Sequence, residues 1–254
     1  MAGHSKWANI KRQKARVDAV KGKVFAKISR EIIVAARSGI PDPEGNFQLR
    51  TAVQKAKAAG IPNDNITRAI AIGSGAYGSD NNLEAIRYEG YGLGGVAVLI
   101  EALSDNRNRT AADLRSAFSK NGGNLGETGC VSWMFEQKGV CVLRGEIDED
   151  NLLEASIEGG AEFYELTEVD EGAGAEVFAE VANLETLNQT LQEKGYDVVV
   201  AELRWIANNT IEVTDPDLAR SLLKLMDALE DLDDVQSVTA NFDMSDELMS
   251  ASII

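Results

Sequence analysis

Apolar positions along the chain change period near residue 76, and that change divides the sequence. In the first part they recur every three to four residues. Phe25, Ile28, Ile32, Ala35 and Ala36 fall on one side of a helix that ends at Ser38-Gly39, before Pro41. Phe47, Ala52, Val53 and Ala56 mark a second helix ending at Gly60, and Ile66, Ala69 and Ile70 mark a third opened by Pro62-Asn63-Asp64. Residues 1–76 therefore read as a small helical bundle. GSGAYGSDNN, residues 73–82, reads as a linker.

From Glu84 onward short β-rich runs alternate with helical ones. IRYEGYG and GGVAVLIEAL predict a hairpin, and TAADLRSAFSKNGG a helix with Gly122-Gly123 as its C-cap. GCVSWMFEQKGVCVL reads as two strands about Gln137-Lys138-Gly139. From VCVLR to DVVVAELRWI the order is β-α-β-β-α-β, the split-βαβ or ferredoxin-like order. TIEVTD, PDLARSLLKLMDALEDL and VQSVTANFDM then complete a second such unit begun at residues 95–135. The expected fold is α+β. A helical domain, 1–76, precedes a discontinuous split-βαβ domain, 83–136 plus 208–246. A second split-βαβ domain, 137–207, is inserted in it.

Charge sharpens the division. Residues 1–76 hold 14 Lys and Arg against 5 Asp and Glu, whereas the whole 254-residue chain carries a net −16. A cationic front on an acidic body points to a polyanionic partner held by one end. Lys23, Lys27, Arg30 and Arg37 lie within an arc of about 80° on the helix surface, opposite the apolar side. The alternative is an ordinary solvated face. Against it, Asp18 and Glu31 are the only acids before Asp42, too few for mixed-sign i,i+4 support. Together with Lys6, Lys11, Arg12 and Lys14, these cations form the expected nucleic-acid surface.

Other candidate chemistry is sparse. GYGLGG matches the spacing of a dinucleotide loop but runs into the strand Val96–Glu101 rather than a helix, which excludes that use. In SDNRNRT, Arg107 and Arg109 stand beside a helix N-terminus. They either contact phosphate or pair with local carboxylates. His4, the only histidine, and Trp7 flank Lys6 in GHSKW. That grouping suits stacking on unpaired bases, while packing of Trp7 onto the bundle is the competing use. Cys130 and Cys141 form no CxxC and read as small core residues of a reducing compartment, with a single bridge between them as the alternative. The longest aliphatic run, Val96–Ile100, is too short to span a bilayer, so a cytoplasmic location without membrane partners is expected. No P-loop, HExxH, GxSxG or calcium loop is present. The expectation is a non-enzymatic chain without a cofactor or metal.

Five ordered motifs carry a family resemblance: GHSKW, the basic run from Ile10 to Ile32, YEGYG followed by Gly94-Gly95, SDNRNRT and KNGGNLG. They resemble the YebC/PmpR family, whose mitochondrial relatives are translational activators of cytochrome c oxidase. Leu93 departs from it, since many relatives carry proline there, and this bears on the hairpin's shape. The resemblance implies a helical N-terminal domain, two α/β domains and no catalysis. Many members bear a DNA-binding transcription-regulator label, while others act on the ribosome and ease translation of proline runs. It implies functional roles for GHSKW, the basic helices and the SDNRNRT segment. The expected partner is therefore DNA, or ribosomal RNA or tRNA, with ribosomal proteins as further partners. A different class of reading is an acidic protein-interaction module for a basic partner.

Overall fold

The computed structural model describes residues 7, 21–76, 83–169 and 172–252. It has mixed α and β content and divides into two compact units, Phe135–Ile206 and the residues on either side of it. Each is described by itself.

The flanking unit begins with three helices, α1 (Lys21–Ser38), α2 (Phe47–Ala58) and α3 (Asn63–Gly73). Ile28, Ile32, Leu49, Ala52, Ala56 and Ile66 are buried together between them. Gly73 sets how closely α3 approaches α1, because a β-carbon there would lie 2.5 Å from the Ile33 carbonyl oxygen. Asn46 holds the α1–α2 turn. Its side chain accepts from the Leu49 amide at the start of α2 and donates to Ala35 and Ile40 carbonyls at the end of α1.

The unit continues with β1 (Glu84–Tyr91), β2 (Ala97–Ser104), α4 (Arg107–Lys120) and β3 (Asn124–Leu125). After the inserted unit come β8 (Ile211–Glu212), α7 (Pro216–Glu230), β9 (Val235–Ala240), β10 (Phe242–Asp243) and α8 (Asp246–Ser252). The glycines of GYGLGG turn an antiparallel hairpin in which Tyr91 faces Ala97 and the Gly92 amide donates to Val96. Gly94 and Gly95 take positive φ in that turn (72° and 77°). The main sheet has the order β3-β1-β2-β9. α7 buries Leu222, Leu225, Met226 and Leu229 in the core with Phe118 of α4. Each such side chain removed from water stabilises the fold by roughly 1.5–3 kcal/mol.

Two expected strands are absent from this sheet. The segment Gly126–Ser132 does not pair because Gly129, Val131 and Ser132 donate their amides to the buried Glu89 carboxylate, at 2.7–2.8 Å. Those amides are then unavailable for a ladder. Ile211–Glu212 instead pairs in parallel with Phe242–Asp243 in a separate two-stranded sheet.

The Phe135–Ile206 unit contains β4 (Phe135–Arg144), α5 (Glu149–Glu158), β5 (Ala161–Val169), β6 (Gly172–Glu180) and α6 (Leu184–Glu193). β7 (Asp197–Ala207) completes it. Its sheet order, β5-β6-β4-β7, is the ferredoxin-like one. Gln137-Lys138-Gly139 lies inside β4 rather than in a turn. Lys138 is held by Glu136 and Glu162, and Gly139 serves packing: a β-carbon there would stand 2.7 Å from Leu184 of α6.

Candidate nucleic-acid interface

Helix α7 ends in acid. Its last turn and the following residues read Glu230-Asp231-Leu232-Asp233-Asp234, with no basic residue in the turn. Negative charge at a helix C-terminus opposes the helix dipole, and the last carbonyls lack intrahelical partners. The cations of α1 meet both needs. Lys27 donates to the Glu230 carbonyl at 2.5 Å and Lys23 to that of Asp231 at 3.3 Å. Arg30 donates to the Asp233 carbonyl and stands 3.6 Å from the Asp234 carboxylate. Arg37, one end of the row, donates to the Leu83 carbonyl at 3.0 Å. The four cations expected on this face thus all reach main-chain oxygens beyond the helical domain.

Asp234 links this row to the second candidate segment. Asn106 caps α4 by accepting from the Arg109 amide, which places Arg107 and Arg109 in the helix's first turn. Arg109 reaches back to Asp105 at 2.8 Å and to Asp234 at 2.7 Å. Thr110 and Ser104 also donate to Asp234, at 2.8 and 3.0 Å. Burial opposes ionisation of Asp234. The hydrogen bonds from Arg109, Thr110 and Ser104 and the Arg109 charge outweigh it, so the carboxyl sits below its ordinary pKa. The Asp234 hydrogen bond, first, and that of Asp105 raise the Arg109 pKa. Residues 30, 109 and 234 therefore form a +/−/+ bridge across about 200 positions of sequence.

Arg107 differs from its neighbour. It is exposed and forms no ion pair among the described residues. Its carbonyl accepts from the Tyr88 hydroxyl at 3.1 Å. Burial, chiefly, raises the Tyr88 pKa, against the lowering effect of Arg107. Lys23, Arg37, Arg107 and Arg109 are all solvent-exposed, so each can turn a donor toward an incoming oxyanion.

Trp7 is a correction to the expected base-stacking arm. It is 2% exposed and lies in the core that includes Val98, Leu222 and Phe242, not on the helical bundle. Its indole is not presented for stacking. His4, Lys6, Lys11, Arg12 and Lys14 lie outside the described residues. Sequence reasoning missed another aromatic, Trp133, which is 67% exposed. Its Nε1–H donates to the Cys130 carbonyl at 3.2 Å, and Tyr91 donates to that same oxygen. The Glu89 staple fixes the loop beneath it. Burial opposes Glu89 ionisation, but the three backbone amides win and lower its pKa. An apolar residue flanked by Ser132 and Met134 in a Cys-Val-Ser-Trp-Met-Phe run reads as buried strand, which hid this exposure.

Both cysteines are free; burial pushes the Cys141 thiol up to about 12. Among the described residues no group of three His, Cys, Asp or Glu side chains is placed to hold a metal ion. No helix among them is long and apolar enough to cross a membrane.

Two family profiles match the chain. The family profile described as "TACO1/YebC protein N-terminal domain" matches residues 5–76, and "TACO1/YebC second and third domain" matches 83–242. A "Probable transcriptional regulatory protein" of Gloeothece citriformis is 76% identical over 254 residues, covering all of both chains. One of Trichormus variabilis is 76% identical over 253 residues, 99% of each. The crystal structure of a conserved hypothetical protein from Aquifex aeolicus superposes with a TM-score of 0.82 at 42% identity, covering 91% of this chain and 94% of that one.

Proposed function

This chain belongs to the TACO1/YebC family, and from that premise we propose that it is a non-enzymatic, cytoplasmic regulator of gene expression that binds nucleic acid. The observation that carries this reading is the gathering of α1 and α4 cations in one region of an otherwise acidic chain, several of them exposed. Phosphate is the ligand such a cluster recognises, and the net charge of −16 steers the remainder of the molecule away from a polyanion. Relatives named as probable transcriptional regulatory proteins support DNA as the target.

A second reading is RNA on the ribosome, with a role in translating difficult sequences such as proline runs. The exposed Trp133, held through its Nε1–H by the Cys130 carbonyl, favours it, since an indole face stacks on unpaired bases and a duplex offers none. The test is sedimentation of cell extract through a sucrose gradient, with promoter-duplex binding measured at the same salt. Comigration with ribosomal particles that is weakened by Arg107→Glu and by Trp133→Ala supports RNA. Binding to one promoter that outcompetes bulk DNA, insensitive to Trp133→Ala, supports transcription. Failure to bind either polymer overturns the proposal and leaves the acidic interaction module.

A further inference from the structure

We propose that nucleic acid is bound by exchange. The Glu230–Asp234 turn occupies the α1 cations in the free protein, phosphates replace it on binding, and the helical domain then parts from α7. This rests on the nucleic-acid reading above and adds the regulation of that site.

The turn resembles a short stretch of phosphodiester in the chemistry it offers. It presents a run of carbonyl oxygens, to which Lys23, Lys27 and Arg30 donate, and a carboxylate between two guanidinium groups. The hydrogen bonds themselves are open to exchange. The donors are charged, the acceptors are mostly neutral carbonyls, and Lys23, Asp231 and Asp233 are exposed. An ammonium or guanidinium gains more from a phosphate oxygen than from a solvated carbonyl. By contrast, the apolar packing of α1 lies on its other face, among Ile28, Ile32 and Ala36, and survives separation. The hydrogen bonds to α7 are therefore the part of the interface that a polyanion can take over without unfolding the helical domain.

Such a latch sets a threshold. A ligand must supply enough phosphates to outbid several intramolecular contacts together, so isolated anions are refused and polymers accepted. The intrinsic affinity is multiplied by the small open fraction, so anything that loosens the turn raises apparent affinity.

The test closes the latch chemically. In a Cys130→Ser background, Lys23→Cys and Asp231→Cys are joined by a short bismaleimide. The reference is the same protein capped with N-ethylmaleimide, so both arms lack the same charges. The probe is a fluorescein-labelled RNA hairpin with an unpaired loop, run beside a labelled duplex DNA. The capped protein is expected to bind one of these at least about tenfold more tightly than the bridged one. Equal binding by the two arms overturns the exchange and leaves the nucleic-acid reading standing. Absence of binding by the unmodified full chain overturns that reading itself and the exchange with it.

A second variant needs no cross-link. Asp231→Asn with Asp233→Asn weakens the hold on α1 at exposed positions where folding is tolerant. It should tighten binding about threefold more than Asp150→Asn with Glu154→Gln, which removes equal charge from exposed sites in the inserted unit. Identical gains from both pairs mean general repulsion alone and count against the latch.

Discussion

Two buried carboxylates, Glu176 in the inserted unit and Asp234 in the flanking one, are neutralised in different ways. Glu176 is 0% exposed and meets Arg204 at 2.9 Å, and Arg204, 12% exposed at its side chain, also holds Glu202. Acid and base come from β6 and β7, the strands on either side of β4 in one sheet, and little of either meets solvent. At Asp234 the acid is buried, but its cations come from α1 and α4 and are 26% and 46% exposed. The first arrangement is a closed structural pair. The second leaves charge on the surface that a ligand can share. Counting cations cannot separate the two cases; what matters is whether the guanidinium can still see water.

Substitution at the closed pair should have the largest effect. Glu176→Ala leaves the mostly buried Arg204 with Glu202 as its remaining carboxylate and should cost about 3–5 kcal/mol, read by urea unfolding. A loss below about 1 kcal/mol would mean that water reaches the site. Asp234→Ala removes the acceptor of Arg109, Thr110 and Ser104 and should cost less, about 2–3 kcal/mol, because Arg109 can turn to solvent. A collapse of both units together in that variant would contradict its confinement to the flanking unit.

Acid tests the flanking unit's carboxylates. Asp234 and Glu89 both have depressed pKa values in the folded protein. Their stabilisation is complete above the unfolded carboxyl value, near pH 4, and is lost as pH falls through the folded values. The melting temperature should drop below about pH 4, and less steeply in Asp234→Asn. An unchanged slope in that variant would remove Asp234 from the account. The smallest effect on stability belongs to Arg107→Glu, within about 0.5 kcal/mol. The same substitution should still weaken nucleic-acid binding severalfold, which separates Arg107 from its paired neighbour Arg109.

Much of this was legible in the pattern of residues. The amphipathic face of α1 was, down to Ile28, Ile32, Ala35 and Ala36, because helical periodicity is local. So was the hairpin about Gly92, since its glycines run into a strand. What the cations of α1 touch was not, because the acidic turn lies some 200 positions away and acids are common throughout the chain. Gly139 misled because a glycine beside lysine signals a turn, while its actual constraint is the close passage of Leu184. The two tryptophans were hard to place for a similar reason. The neighbours in sequence suggested a basic arm or bundle packing for Trp7 and a strand for Trp133, and only tertiary contacts decide exposure.

The α1 cations are offered to phosphate, and the salt dependence of binding measures that offer. Lys23→Gln, Lys27→Gln and Arg30→Gln together should weaken RNA binding and make the plot of log K against log salt shallower by about 2, at roughly 0.7 per phosphate contact on a single strand. An unchanged affinity with an unchanged slope would show that these side chains serve only to fasten α1 to α7.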